Sequence, residues 1–136
     1  MEIFELINLL KDSLENNKRF IVLLEGEMGA GKTTHVSKLL GEVLPELNVH
    51  SPTFQVINQY AENIYHMDLY RLERLAEFEN LGLEEILSDD NIVFIEWFEK
   101  VPQHYFEFIK SIGFVKVAIE KISDNERRFT YENSAH

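Results

Sequence analysis

The residues that indicate chemistry are Gly26-Glu27-Met28-Gly29-Ala30-Gly31-Lys32-Thr33, which match G-x-x-x-x-G-K-[ST] at every fixed position. Glycines permit a tight turn whose successive backbone N–H groups point at an anion, and the lysine adds a positive charge. A threonine hydroxyl at the end of such a loop is a ligand for Mg²⁺. The spacing therefore predicts a loop that binds the β- and γ-phosphates of a nucleotide with Mg²⁺. The residues predicted to bind are Gly26, Glu27, Met28, Gly29, Ala30, Gly31, Lys32, Thr33 and Thr34.

The segments on either side of this loop are those that a phosphate-binding loop requires. Residues 20–24 form a continuous apolar run, which is typical of a strand buried on both faces. Val36, Leu39 and Leu40 recur at helical spacing after the loop, and the helix is expected to stop near Gly41. A new helix directs unpaired N–H groups at the same anion. This context disfavours the alternative of a glycine-rich turn without a ligand.

Two acidic residues come at the ends of predicted strands. Asp68 ends a short apolar segment, and Glu96 follows the apolar run 92–95. Ligands of open α/β sheets bind at the carboxyl ends of the strands, which predicts that the loop, Asp68 and Glu96 share one rim. Nucleotide hydrolysis needs carboxylates that hold a metal or position a water, and either acid suits either role. Each could instead be a solvated or helix-capping residue.

The candidate catalytic residues are therefore Lys32, Asp68 and Glu96, and the candidate metal ligands are Thr33, Asp68 and Glu96. Trp97, the single tryptophan, follows Glu96 directly. It is either a packing aromatic or a residue that stacks on a base or closes the site. No metal site is suggested by the spacing of His35, His50, His66 and His104, and these four are interpreted as ordinary residues.

The remaining pattern predicts helices and strands around these residues. Helices are expected from Ile3 to Leu14, from Arg71 to Leu87 with a break at Gly82, and from Tyr105 to Ile112. Strands are expected at 48–50, at 53–60 paired with 63–67, and in an edge hairpin of 114–119 with 128–131. Two buried strands with helices between them predict a three-layer α/β fold, a P-loop NTPase domain with a mixed, mainly parallel central sheet and helices on both faces. Residues 1–136 are expected to form this single domain.

Composition limits the classes of partner. The formal net charge is −11, from 24 acids against 13 bases, and there is no basic run, so a direct grip on nucleic acid is not expected. The absence of cysteine excludes disulfides and thiolate chemistry. No apolar stretch approaches the ~18 residues of a membrane span, and the N-terminal residues lack the basic start of a signal peptide. The expected location is the cytoplasm.

The motifs taken in order resemble a known family. Ser51-Pro52-Thr53-Phe54, His66-Met67-Asp68-Leu69-Tyr70-Arg71-Leu72, Gly82-Leu83-Glu84-Glu85 and Ile95-Glu96-Trp97 follow the loop. This set resembles the bacterial TsaE (YjeE) family of small P-loop ATPases, which assists synthesis of N6-threonylcarbamoyladenosine at adenosine 37 of tRNA. The resemblance covers residues 20–100 well, and the hairpin with Arg127-Arg128 more loosely.

The resemblance implies roles for individual residues. Thr53 would lie in a switch-like loop near the γ-phosphate, and Asp68 near the metal. Glu96 and Trp97 would lie beside the nucleotide, with Glu96 implied to orient water. The chain departs from the family pattern at Phe98, where proline is common, and at Lys100, where arginine is more frequent. The resemblance also implies that the protein acts with the TsaD and TsaB proteins and that ATP turnover resets their complex.

Two other functions fit the loop alone. A small metabolite kinase needs an acceptor pocket and usually an arginine-bearing lid, for which this chain has little length. A nucleotide-sensing binding module would keep Lys32 and Thr33 and would not depend on Glu96.

Overall fold

The computed structural model describes residues 1–47 and 56–134. Its helices are α1 (Ile3–Asn16), α2 (Lys32–Val43), α3 (Leu75–Asn80), α4 (Leu83–Ser88) and α5 (Gln103–Ile112), with a 3₁₀ turn at Phe98–Lys100. Its strands are β1 (Phe20–Glu25), β2 (Ile57–Ala61), β3 (Ile64–Asp68), β4 (Ile92–Glu96), β5 (Val115–Ser123) and β6 (Glu126–Asn133). The strand predicted at 48–50 and the segment with Thr53 lie outside the described residues.

The strands form one six-stranded sheet in the order β2-β3-β4-β1-β5-β6. The four central strands β3, β4, β1 and β5 are parallel, while β2 and β6 add to the two edges in antiparallel pairs. The predicted mixed, mainly parallel sheet is confirmed. The predicted edge hairpin is confirmed: β5 and β6 pair in antiparallel fashion, β6 forms the edge, and β5 joins the hairpin to β1 in parallel.

Helices cover both faces of the sheet, as predicted. Side chains of a strand alternate between the two faces of the sheet, so each buried strand contributes side chains to two hydrophobic cores. One core joins α1 and α2 to the sheet through residues that include Leu6, Leu10, Val22, Leu39 and Phe94. The other joins α3, α4 and α5 through residues that include Leu23, Phe78, Leu87, Ile95 and Ile109. The three-layer α/β arrangement is confirmed.

Two helix boundaries differ from the predictions. Helix α2 does not stop near Gly41 but continues to Val43, which packs on the first core. A helix-interior glycine costs only about 1 kcal/mol, less than burial of Leu40 and Val43 returns. The predicted helix 71–87 begins only at Leu75, because a turn from Leu69 to Leu72 comes first. Gly82, with φ of 72°, separates α3 from α4 as predicted.

The register of the central strands positions the candidate residues. Leu24 of β1 pairs with Glu96 of β4, which pairs with Asp68 of β3. Since all three strands run in the same direction, the phosphate loop and both acids lie at one rim of the sheet. Among the described residues, no helix is long and apolar enough to cross a membrane.

Candidate active site

The phosphate loop connects β1 to α2 and is held close to β5. A side-chain carbon on Gly26 would lie 2.9 Å from the carbonyl oxygen of Ile119 and 3.2 Å from Cβ of Ala30, so only glycine fits there. Gly31 has φ of 101° at the start of α2, a conformation that favours glycine. The first-turn N–H groups of α2 therefore face the loop, as an anion site requires. Met28, at the outer part of the loop, is 64% exposed.

Lys32 is almost fully buried and lies across the loop. Its ammonium donates a hydrogen bond to the carbonyl oxygen of Gly26 at 2.5 Å. The same nitrogen lies 4.2 Å from the centre of the Trp97 indole, in cation–π geometry. The lysine thus connects the loop to the segment that follows β4, and its charge is positioned where an anion would bind.

Trp97 adopts a left-handed backbone conformation, with φ of 60°. Such a conformation costs a bulky residue about 1–3 kcal/mol, so the surrounding contacts must favour it. The indole packs against the Tyr70 ring at 4.8 Å. Lys100 donates to the Tyr70 carbonyl at 2.5 Å and lies 5.1 Å from its ring. Trp97 is therefore in contact with Lys32 and Tyr70, and Lys100 contacts Tyr70 on that residue's carbonyl and ring.

The structure brings Glu96 and Thr33 together. The Thr33 hydroxyl donates a hydrogen bond to Oε2 of Glu96 at 2.9 Å. Glu96 is 3% exposed at the end of a strand whose residues are all buried. A buried carboxylate is costly unless hydrogen bonds satisfy it, so this contact both holds Glu96 and orients the hydroxyl.

Asp68 lies on the same rim but is positioned differently. Its Oδ1 accepts a hydrogen bond from the Tyr70 backbone N–H at 3.1 Å, within a local turn. Within the described ranges, no hydrogen bond joins Asp68 to Thr33 or Glu96. Asp68 is also partly exposed. Of the two candidate acids, Glu96 is thus the one in contact with the phosphate-loop threonine.

His66 belongs to this site, although sequence reasoning treated it as an ordinary residue. It is fully buried in β3, and its Nε2 lies 2.5 Å from Oε2 of Glu96. Its Nδ1 lies 2.8 Å from the hydroxyl of Tyr60 in β2. Burial, and to a lesser extent the Glu96 charge, raises the pKa of Tyr60 to about 12. A signal was present in the sequence, because His66 precedes Asp68 by two residues and so shares its side of the strand.

Arg127 is a second residue that sequence reasoning did not place in the site. From the start of β6, its Nε donates to the Ala30 carbonyl at 3.0 Å, and Nη2 donates to the Gly29 carbonyl at 3.4 Å. Nη1 donates to the Ser123 carbonyl at 2.7 Å. The guanidinium thus ties the β5–β6 turn to the phosphate loop. No local sequence signal indicates a contact with residues 97 positions away.

A cavity of about 290 Å³ lies beside the loop, between the start of α2 and the β5–β6 turn. Its lining includes Gly31, Thr34, Lys38, Asp124 and Asn125. His35 and Phe129 form one wall, with ring centres 4.6 Å apart. Burial, followed by the Lys38 charge, lowers the pKa of His35 to about 4, so this imidazole is neutral at physiological pH. The cavity combines aromatic and polar groups next to the predicted phosphate-binding loop.

The donor set fits magnesium bound together with a nucleotide. Within the described part of the chain, no group of three or more His, Asp or Glu side chains is arranged to hold a metal alone. Magnesium usually keeps several waters and takes one or two protein oxygens plus substrate phosphates. The Thr33 hydroxyl with a carboxylate at the rim meets that requirement.

Comparison with known proteins gives consistent matches. The profile of the family described as "Threonylcarbamoyl adenosine biosynthesis protein TsaE" matches residues 2–129. Relatives called "tRNA threonylcarbamoyladenosine biosynthesis protein TsaE" come from Haemophilus influenzae, Rickettsia felis and Bacillus subtilis, with 40%, 36% and 33% identity. These alignments cover 64%, 90% and 82% of this chain. They span 57%, 70% and 68% of the relatives' own lengths, so the chain matches little more than half of the Haemophilus protein.

A solved structure has a similar fold. The crystal structure of YdiB from Bacillus subtilis superimposes with a TM-score of 0.54 at 25% sequence identity. The match covers 96% of this chain and 80% of that protein. The family profile covers nearly the whole chain, and the relatives from Rickettsia and Bacillus exceed 30% identity over most of it. The chain therefore belongs to the TsaE family.

Proposed function

We propose that this protein binds ATP with Mg²⁺, hydrolyses it, and supports formation of threonylcarbamoyladenosine in tRNA. The observation that carries the proposal is the hydrogen bond between Thr33 and Glu96 beside the buried Lys32. It joins a hydroxyl to a carboxylate, and with the nearby cation these are the groups that phosphoryl transfer from a nucleotide requires. The relatives' names support the tRNA modification role.

Binding would begin with the phosphates. The Lys32 ammonium exchanges the Gly26 carbonyl for β- and γ-phosphate oxygens, while the N–H groups of the loop and the start of α2 surround the same charge. The nucleoside would occupy the cavity between Thr34 and Asp124, where His35 and Phe129 offer aromatic surface. Thr53, in the segment outside the described residues, is proposed to approach the γ-phosphate.

The two acids would divide the remaining work. Oε2 of Glu96 accepts the Thr33 hydrogen bond and so turns the hydroxyl oxygen toward the metal position. Within the described ranges no hydrogen bond reaches Oε1, and this oxygen is proposed to accept a hydrogen bond from the attacking water. Asp68, at the adjacent strand end, is proposed to lie on the metal side. Magnesium, when bound, neutralises charge on the phosphates and holds them in line.

The reaction itself needs only ATP and water. The water oxygen bonds to the γ-phosphorus, and the bond from that phosphorus to the β–γ bridging oxygen breaks. ADP leaves with the electron pair, one proton of the water stays on the inorganic phosphate, and the other is released to solvent. Trp97 and Lys32 would hold the transferred group in place, and Glu96 would orient the water.

The protein is proposed to act on a complex of TsaD and TsaB, in the cytoplasm, where ATP turnover resets the complex between cycles. Large exposed apolar side chains near the rim support a covering protein partner: Met28 is 64% exposed, Tyr70 44% and Ile122 42%. The net charge of −11 disfavours tRNA as a direct ligand. A covering partner would also exclude water and strengthen charge interactions at the loop.

Nucleotide assays test this proposal against the two alternatives. Purified protein is incubated with ATP and Mg²⁺, alone and with a TsaD–TsaB pair, and phosphate release is measured. Release that increases with the pair and is lost in Lys32→Ala supports the proposal. ATP binding without release under any condition would favour a nucleotide-sensing module, and transfer of phosphate to a small molecule would favour a metabolite kinase.

A further inference from the structure

The buried side chains of His66 and Glu96 are connected by hydrogen bonds to the partly buried Tyr60 and Thr33. Tyr60 contacts His66 at 2.8 Å, His66 contacts Glu96 at 2.5 Å, and Thr33 contacts the same Glu96 oxygen at 2.9 Å. His66 is 0% exposed, and it lies on β3 while Glu96 lies on the adjacent β4. Polar groups removed from water are costly unless each has a hydrogen-bond partner. Such a network is therefore stable only when all of its hydrogen bonds are formed.

The donors and acceptors of this chain can be assigned in one consistent order. The Glu96 carboxylate accepts, which makes His66 Nε2 the donor and leaves Nδ1 as an acceptor. The Tyr60 hydroxyl then donates to Nδ1, and its raised pKa keeps that proton in place at neutral pH. A neutral histidine with the proton on Nε2 satisfies both contacts. Tyr60 thereby fixes which nitrogen of His66 faces Glu96.

Two donors on a single oxygen restrict how the Glu96 carboxylate can rotate. Oε2 is held by His66 from the sheet side and by Thr33 from the loop side. The rotation of the carboxylate also sets the position of Oε1. A misplacement of a reacting group by about 1 Å can lower a rate by about 10²-fold.

We propose that His66 is a positioning residue for ATP hydrolysis, which holds the Glu96 carboxylate in the orientation that places a water for attack. This role rests on the proposed function. In this role His66 contacts neither the nucleotide nor the attacking water, and it acts only through Glu96. Nucleotide affinity comes from the phosphate loop, so loss of His66 should lower kcat and leave KM for ATP within about twofold.

The chain offers a matched pair of variants for the test. In His66→Gln the side-chain amide nitrogen reaches the position of Nε2 and restores the donor to Glu96. In His66→Asn the amide reaches only the position of Nδ1 and leaves Glu96 without that donor. Both are polar, uncharged amides, and because Gln is also closer to His in volume, thermal unfolding of the two variants measures how much of their difference comes from packing.

The experiment measures kcat and KM for ATP in the presence of a TsaD–TsaB pair. We expect kcat to fall about tenfold or more in His66→Ala and His66→Asn, and to return to within about threefold of wild type in His66→Gln. Tyr60→Phe should give an intermediate loss. The control is His104→Gln, an exposed position on α5, which should be unchanged. Thermal unfolding establishes that each variant is folded, and if His66→Ala is not, the Gln and Asn variants carry the comparison.

A second readout needs no turnover. The ¹⁵N–¹H spectrum of the His66 ring in the ligand-free protein should show a proton on Nε2, the nitrogen that faces Glu96. An Nε2 without a proton, equal kcat in the Gln and Asn variants, or wild-type kcat in His66→Ala would each overturn the role of His66 alone. A wild-type protein without turnover under any condition would overturn the proposed function, and the role of His66 with it.

Discussion

Replacement of Lys32 by alanine tests the phosphate site most simply. The side chain is 6% exposed, so its charge acts in a partly desolvated setting. Two opposite unit charges about 4 Å apart attract by about 4 kcal/mol at an effective dielectric constant of about 20. Lys32 would supply that attraction to a phosphate, at the expense of the contacts it makes in the ligand-free protein.

The contacts of Lys32 in the ligand-free protein reduce the net free energy that this residue contributes to ATP binding. A hydrogen bond from a charged donor, here to the Gly26 carbonyl, contributes about 1.5–3 kcal/mol. The cation–π contact with Trp97 adds about 0.5–1 kcal/mol. The surplus on binding is therefore about 0–2 kcal/mol, and its midpoint of about 1 kcal/mol corresponds to roughly fivefold weaker ATP binding in Lys32→Ala.

Isothermal titration with ATP and Mg²⁺ measures this difference. Lys11→Ala is the matched control, because it removes one positive charge from an exposed position on α1 and should leave the affinity unchanged. Folding of both variants is checked by thermal unfolding. Equal affinity of wild type and a folded Lys32→Ala would refute the phosphate-loop argument, and an equal loss in Lys11→Ala would assign the effect to net charge.

Further predictions concern three other residues. Glu96→Ala should slow hydrolysis about 100-fold and change ATP affinity less than about threefold, whereas equal losses in both would make Glu96 a ground-state metal ligand and Asp68 the group that orients water. Arg127→Met should weaken ATP binding about five- to tenfold by releasing the Ala30 and Gly29 carbonyls, while Arg128→Met, at an exposed neighbouring position, should not; equal affinities would contradict this. His35 has a pKa lowered from 6.5 to about 4, so the unfolded chain binds its proton first and stability is lost as pH falls from 6.5 toward 4. Urea unfolding should show about 1–2 kcal/mol more loss between pH 7 and pH 5 in wild type than in His35→Gln, and parallel curves would refute the assignment.

The sequence was sufficient to predict which residues share the rim, because the carboxyl ends of parallel strands lie at the same edge of a sheet. Once residues 20–24 and 92–95 are interpreted as buried strands, the loop and Glu96 must come out on the same side of the sheet. Asp68 follows from the same rule. The layers follow as well, since helices with one apolar face must cover a sheet buried on both faces.

The contacts within the rim could not be predicted in this way. The choice between Asp68 and Glu96 as the partner of Thr33 depends on strand order, and only the structure places β4 next to β1. The contact of His66 with Glu96 depends on the register of β3 with β4. Arg127 approaches the loop because β5 returns to the centre of the sheet, a long-range pairing without a local pattern. The low helix propensity of Gly41 also predicted too early an end for α2, because core packing extends this helix to Val43.

The central claim is that this member of the TsaE family uses ATP turnover in partnership with other proteins. The most direct measurement is single-turnover hydrolysis of ATP by the wild-type chain, alone and with a TsaD–TsaB pair, with Lys32→Ala in parallel. The account predicts turnover alone well below the ~1–100 s⁻¹ typical of kinases, a clear increase with the pair, and no increase in Lys32→Ala. Rapid hydrolysis by the isolated protein, together with a partner pair that neither binds it nor changes that rate, would contradict it.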